Sequence, residues 1–314
     1  MTKQQGITAA LASALFLGVV PIFGKVAILS GFTPLAVIAL RTGIAAILFM
    51  AFMAIWRRPF FYIYPVGLVG CLLAGFVNGL GSVLYYTALG RINAGVGQLL
   101  YSLYPLFLAF WLLLDRQSIT PLTALRLVIS IVAVGLLLQT HEGTIDILGA
   151  VMMVGSAALY ALHLVINQRI LFEVPAPTVT IYTLLGMAAT VVLAYLIGDR
   201  RPPADGVAWW AILSMALITF LSRFTLFLGI KRLGGLQTAL LGLGEVLVTV
   251  VLSSILLNEK LTPQQWLGAT LLCVSLILVG LDRIPPQKRV ATGWLSWLNP
   301  PSIPTTDVPW QSQP

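Results

Sequence analysis

Apolar runs about one membrane thickness long, each closed off by Gly, Pro or charge, follow one another from residue 6 to residue 282. They predict helices over 6–29, 34–56, 65–89, 94–114, 121–139, 145–168, 177–198, 207–229, 235–257 and 263–282. Pro34, Pro121, Pro177 and Pro263 fall at or near the starts, where a missing amide leaves no broken bond. No alternation of period two competes with this pattern, so the fold class is all-α, a membrane protein of ten transmembrane helices.

The pattern repeats itself at a spacing of 143 residues, which aligns Gly6 with Gly149, Ser13 with Ser156, Pro34 with Pro177 and Gly43 with Gly186. Arg57-Arg58-Pro59 then falls on Arg200-Arg201-Pro202. A period this long means a duplicated bundle rather than a solenoid. The halves are residues 1–143 and 144–283, with five spans each. Because five is odd, copies joined in series enter the membrane from opposite sides, which makes two inverted five-helix repeats.

Composition agrees with that class: 59% of residues are hydrophobic and 9% charged, against about 25% charged in soluble domains. The net charge of +8 is therefore read as loop charge facing the cytoplasm, not as a nucleic-acid surface. With the N-terminus inside, Lys3, Arg57, Arg58, Arg116, Arg126, Arg169, Lys231, Arg232, Arg283, Lys288 and Arg289 lie on the cytoplasmic side. Arg91, Arg200, Arg201 and Lys260 lie opposite, so both termini are expected in the cytoplasm of a cell membrane, bacterial inner membrane being the setting. The first span is read as a retained helix rather than a signal peptide. Cys71 and Cys273 sit in apolar runs with no disulfide or metal spacing. Residues 284–314 are rich in Pro, Ser, Thr and Trp and are expected to form a disordered cytoplasmic tail, with surface binding through Trp294 and Trp297 as the alternative.

Two signatures narrow the class. The second half reads Gly242-Leu-Gly-Glu245, then Asn258-Glu-Lys-Leu-Thr-Pro263 and Gln265-Trp-Leu-Gly268. The first half has Leu103-Tyr-Pro105, Asp115-Arg116 and Ile119-Thr-Pro121 in the corresponding places. The combination resembles the EamA-like family of the drug/metabolite transporter superfamily over residues 6–282. That resemblance implies ten helices, two inverted repeats, and transport through a site formed by helices one, three, four, six, eight and nine. Val246 stands where the family often has Pro, which puts a kink in helix nine in doubt, and Arg116 stands where it often has Glu.

Ionisable residues deep in a span are costly and mark candidate function. Glu245 shares a helical face with Thr238 and Thr249 and suits an ammonium group or a proton. His163 lies in a polar stripe with Ser156, Tyr160 and Asn167. Asn78 and Tyr85 on the third span, and Gln98 and Tyr101 on the fourth, give polar aromatic faces suited to a small organic substrate. Arg223 is placed to meet a substrate carboxylate or to pair with Glu245, whereas Arg41 and Lys25 are read as anchors near the interface. The glycines of Gly75-Phe-Val-Asn-Gly79 are read as close helix packing. Each polar residue also has a structural reading, as a hydrogen bond between helices.

Together these point to a secondary active transporter, an exporter of small polar metabolites such as amino acids working by alternating access. Partners are a small-molecule substrate and the bilayer, with no nucleic acid, no cofactor and no metal, in a monomer or homodimer. A sugar-phosphate or nucleotide-sugar exchanger is the runner-up, disfavoured because phosphate recognition takes clustered cations. An intramembrane enzyme lacks paired aspartates or a nucleophile with an adjacent base, and a non-transporting scaffold is the remaining alternative.

Overall fold

The computed structural model describes residues 3–92, 97, 100–117, 119–137, 146–198, 208–248, 251, 263–278 and 293–298. Among them there is no strand. The helices are α1 (Lys3–Leu29), α2 (Pro34–Trp56), α3 (Pro65–Leu89), α4 (Tyr104–Leu114), α5 (Pro121–Leu137), α6 (Ile147–Ile170), α7 (Ala176–Gly198), α8 (Trp209–Leu233), α9 (Gly235–Gly242) and α10 (Pro263–Ile277). Five of them, α2, α3, α6, α7 and α8, are long and apolar enough to cross a membrane, and shorter apolar helices stand in the other predicted spans. Gln98, Thr249 and the segment Asn258–Thr262 lie outside the described residues.

The boundaries follow local chemistry. Thr33 accepts the Ala36 amide at 3.2 Å ahead of Pro34, which caps α2. Asp146 does the same for α6 through Gly149 at 3.1 Å. Gly234, at φ +86°, ends α8 and opens α9, a backbone conformation that a side chain would strain. Helix is also interrupted at Ser102–Leu103 just before α4, and at Leu243 just after α9, with residues 244–248 helical again. Leu243 keeps right-handed helical dihedrals and its N–H still reaches the Ala239 carbonyl at 3.3 Å, so this second irregularity is local.

α1 packs on α8, and α3 packs on α6 and α7; α2 lies against α7 and α8, α4 against α6, α9 against α1, and α5 against α10. The outward faces carry Ile47, Ile55, Val69, Phe76, Val151 and Ile197 in exposed positions. In water such a girdle would aggregate; in lipid it is the required surface. Where α3 meets α7 the backbones touch. A Cβ on Gly75 would lie 2.7 Å from the Met187 nitrogen, and one on Gly186 would lie 2.8 Å from the Leu72 oxygen. A Cβ on Gly79 would likewise lie 3.2 Å from the Met187 oxygen, so the close-packing reading of Gly75 and Gly79 holds.

Two polar networks brace one end of the bundle. Arg169, at the end of α6, donates to Asp115 after α4, and Gln117 also donates to that carboxylate at 3.0 Å. Gln168 links Gln117 to the amide of Gly235. Fully buried Arg126 of α5 donates to the Ser275 carbonyl of α10 at 3.0 Å and to Gln237 of α9.

Over this end lies part of the tail expected to be disordered. Residues 293–298 turn back onto the bundle and bury Leu295 and Leu298, the latter against Gly70 and Ile170. Trp294 meets Trp111 with ring centroids 5.9 Å apart. Two leucines and a tryptophan spaced on one short turn supply the apolar area that the Pro-rich composition hides.

Candidate functional site

The polar residues singled out on the third, sixth and eighth spans converge inside the bundle. Asn78 of α3 and Arg223 of α8 face each other, with the amide oxygen accepting Nη1 at 3.3 Å and Nη2 at 3.1 Å. Arg223 also reaches the Met187 sulfur of α7 at 3.9 Å. Asn78, Thr183, Met187, Arg223 and Phe227 close on one another around a space too small for a water molecule.

Beside it runs a continuous aromatic ladder. Tyr86 meets Tyr85 at 5.3 Å, Tyr85 meets Tyr101 at 4.9 Å, and Tyr101 meets Tyr160 at 5.5 Å, all between ring centroids. Tyr160 then contacts Tyr104 and His163, at 5.1 Å each. The His163 Nδ1 bonds the Tyr160 carbonyl at 2.9 Å, so that nitrogen carries the proton and Nε2 is left as an acceptor. Nε2 has no partner among the described residues, although the side chain is fully buried.

Glu245 completes the cluster two residues beyond the break at Leu243, and is 8% exposed. Its charge acts on Tyr85, Tyr101, Tyr104 and Tyr160 and on Arg223. The main chain here is in contact with α1: a Cβ on Gly18 would lie 2.8 Å from the Glu245 carbonyl. Arg223 and Glu245 do not form the ion pair that their positions allowed for; the pairs among the described residues are Arg91–Asp146 and Arg169–Asp115. Tyr101 and Glu245 each lie within two residues of a local irregularity in their helices, at Ser102 and Leu243. Irregular backbone at membrane depth occurs where it lines a cavity.

Two expected site residues are spent on structure. Asn167 donates to the His163 carbonyl at 2.8 Å and accepts from Thr183 at 3.0 Å, which ties α6 to α7. Thr238 donates to its own helix at the Gly234 carbonyl, 2.8 Å away, and its methyl faces Gly229 of α8. Tyr86 and Tyr104, which the sequence did not single out as site residues, also belong to the ladder. Arg41 is the larger correction. It is 8% exposed rather than interfacial, and its guanidinium lies 5.0 Å from the centroid of Tyr86. Its place in the middle part of an apolar run was the available signal.

The model of the EamA-like transporter family matches the chain twice, over residues 4–139 and 147–281. The chain is 29% identical over 232 residues to the uncharacterized transporter sll1319 of Synechocystis, a match covering 70% of this chain and 68% of that one. It is 26% identical over 286 residues to the uncharacterized transporter YcbK of Bacillus subtilis, covering 84% and 86%. One crystal structure shares the fold with a TM-score of 0.70 at 17% identity, over 89% of this chain and 97% of the other. The chain belongs to the EamA-like transporter family and is a multi-pass membrane transporter.

Proposed function

We propose that the protein is a secondary active exporter of small polar metabolites such as amino acids, and that it works by alternating access at the cluster around Arg223. The observation that carries this reading is the buried pairing of Asn78 with Arg223 inside the bundle, with Phe227 joining that pair to His163 and Tyr160 of the tyrosine ladder and with Glu245 buried nearby. Transporters of inverted-repeat design place the substrate site near mid-membrane at the interface of the repeats. Arg223 suits a carboxylate, Glu245 an ammonium group, and the tyrosine ladder an organic body.

Support for two inverted repeats comes from the packing. Under the shift of 143 residues α1 becomes α6 and α3 becomes α8, so the α1–α8 contact turns into the α3–α6 contact. The α3–α7 contact turns into α2–α8 in the same way, and the α5–α10 contact maps onto itself. Packing that exchanges under duplication is what a pseudo-two-fold axis produces, and rocking of one half against the other follows from it. Both termini face the cytoplasm in this arrangement, by the balance of Lys and Arg.

In liposomes, Glu245→Gln reduces metabolite flux while the protein remains folded. Wild-type flux in that variant removes Glu245 from the mechanism, and absence of flux for any metabolite under any gradient in the wild type favours a scaffold. Cysteines introduced at positions 60 and 203 label from opposite sides of the membrane; labelling from one side rejects inversion.

A further inference from the structure

Among the described residues the cluster holds a second buried cation, Arg41, which the proposed cargo of one carboxylate and one ammonium does not use. Arg41 on α2 is more than nine-tenths buried, and its guanidinium lies over the face of Tyr86. A guanidinium carries five donors, and an aromatic face satisfies none of them as a hydrogen bond. The Nε atoms of Arg41 and Arg223 both lack partners among the described residues, as does Thr42 Oγ1 next to Arg41 in sequence. Buried charge is retained where something pairs with it. Both guanidiniums lie along α3, Arg223 at Asn78 and Arg41 at Tyr86, about two helical turns or roughly 12 Å further along. Two like charges in a low-dielectric interior repel unless an anion stands between or beside them.

We propose that Arg41 supplies a second anion subsite beside that of Arg223, so that the cargo is a small amino compound bearing two negatively charged groups. This rests on the transport reading above and narrows its substrate class. Glu245 takes the ammonium, Arg223 one anion and Arg41 the other, and bound cargo then balances the charge of the cluster. The second anion is a carboxylate or a phosphate, since a guanidinium fork fits both.

The test is ligand-induced thermal stabilisation of the full chain purified in detergent, using isosteric pairs: glutamate against glutamine, aspartate against asparagine, and phosphoserine against serine. In the wild type at least one acidic member binds roughly tenfold or more tightly than its neutral isostere, as the loss of one charge-assisted contact predicts. The glutamate and phosphoserine arms separate a carboxylate from a phosphate. Arg41→Gln reduces the preference to below about threefold, and Arg41→Lys retains part of it, because charge survives without the fork. Equal binding of acidic and neutral members, silence toward all acidic members, or a preference that persists in Arg41→Gln each overturn the proposal. If Arg41→Gln does not fold, Arg41→Lys decides: a preference as large as in the wild type counts against the subsite, a reduced one supports it. Flux of a neutral amino acid in liposomes with no acidic preference defeats this inference alone, whereas no flux of any metabolite defeats the transport reading.

Discussion

Arg169 donates to Asp115 through Nε at 2.9 Å and through Nη2 at 2.7 Å, and the two side chains are 1% and 0% exposed. The pair joins the end of α4 to the end of α6, and Gln117, Gln168 and Gly235 extend it to the start of α9. Removing one partner leaves a buried charge uncompensated, which costs about 3–5 kcal/mol. Asp115→Asn or Arg169→Gln is therefore expected to lower the unfolding midpoint sharply in detergent, and Asp115→Leu with Arg169→Met to recover most of the loss. If the halves rock as proposed, this bond opens in the state that faces the termini. A cysteine at residue 235 then labels faster in Asp115→Asn than in wild type.

The turn at 293–298 covers the same network. A Cβ on Gly293 would lie 3.1 Å from the Asp115 carbonyl and 3.2 Å from Arg169 Nη2, at a φ of +132°. Glycine is required there for both space and backbone conformation. Truncating the buried Leu295 or Leu298 to Ala is expected to cost about 2 kcal/mol each. A chain ending at residue 292 combines these losses and exposes Trp111, which is read as a red shift of tryptophan emission. Unchanged stability in that truncation refutes a docked tail.

Much of the fold was legible because turn chemistry is local. Pro34, Pro65, Pro121 and Pro263 each start a helix, and Thr33 and Asp146 cap theirs. Facing was not legible. A membrane helix is apolar toward lipid and apolar toward its neighbours, so periodicity does not say which side points inward. That is why Arg41, about two turns into α2, read as an anchor, and why Tyr86 and Tyr104 were not singled out as site residues. Asn78, Tyr160, His163 and Arg223, all buried in the bundle, could be singled out because a polar group in hydrocarbon is costly whichever way it points. Asn167 shows the limit of that rule, since its amide is consumed by His163 and Thr183.

Asp146 gives a pH-dependent term outside the spans. Its bond to the Gly149 amide, assisted by Arg91 at 3.3 Å, holds the carboxyl below the usual carboxylate range. A folded-state value lower than the unfolded one contributes stability above the unfolded value, and that contribution is lost as pH falls through the folded one. Asp146→Ala should therefore lower the unfolding midpoint at neutral pH, by an amount that shrinks as pH drops below about 4. Asp146→Asn keeps a capping oxygen that does not titrate, so its midpoint stays close to the wild type at neutral pH. An Ala defect of the same size at every pH rejects the charged cap.

Gly43 and Gly186 occupy the same position of the duplicated sequence, yet their surroundings differ. A Cβ on Gly43 meets nothing within 4 Å, while one on Gly186 lies 2.8 Å from the Leu72 oxygen and 3.3 Å from the Gly75 Cα. Backbone cannot yield as a flexible side chain does, so Gly186→Ala must spread α3 from α7 and should cost about 1–3 kcal/mol. Gly75→Ala makes the same demand from the other side. The two costs should be less than additive, because one separation of the helices relieves both. Gly43→Ala fills open space and replaces a flexible residue inside a helix, so it is expected to be neutral or to stabilise by up to about 1 kcal/mol. The separation also moves Met187, one residue beyond Gly186, away from Asn78, which it contacts at 3.2 Å. Substrate-induced stabilisation should accordingly weaken in Gly186→Ala and stay unchanged in Gly43→Ala. Equal behaviour of the two variants would mean that the repeats use this glycine alike, and that the α3–α7 contact does not position the site.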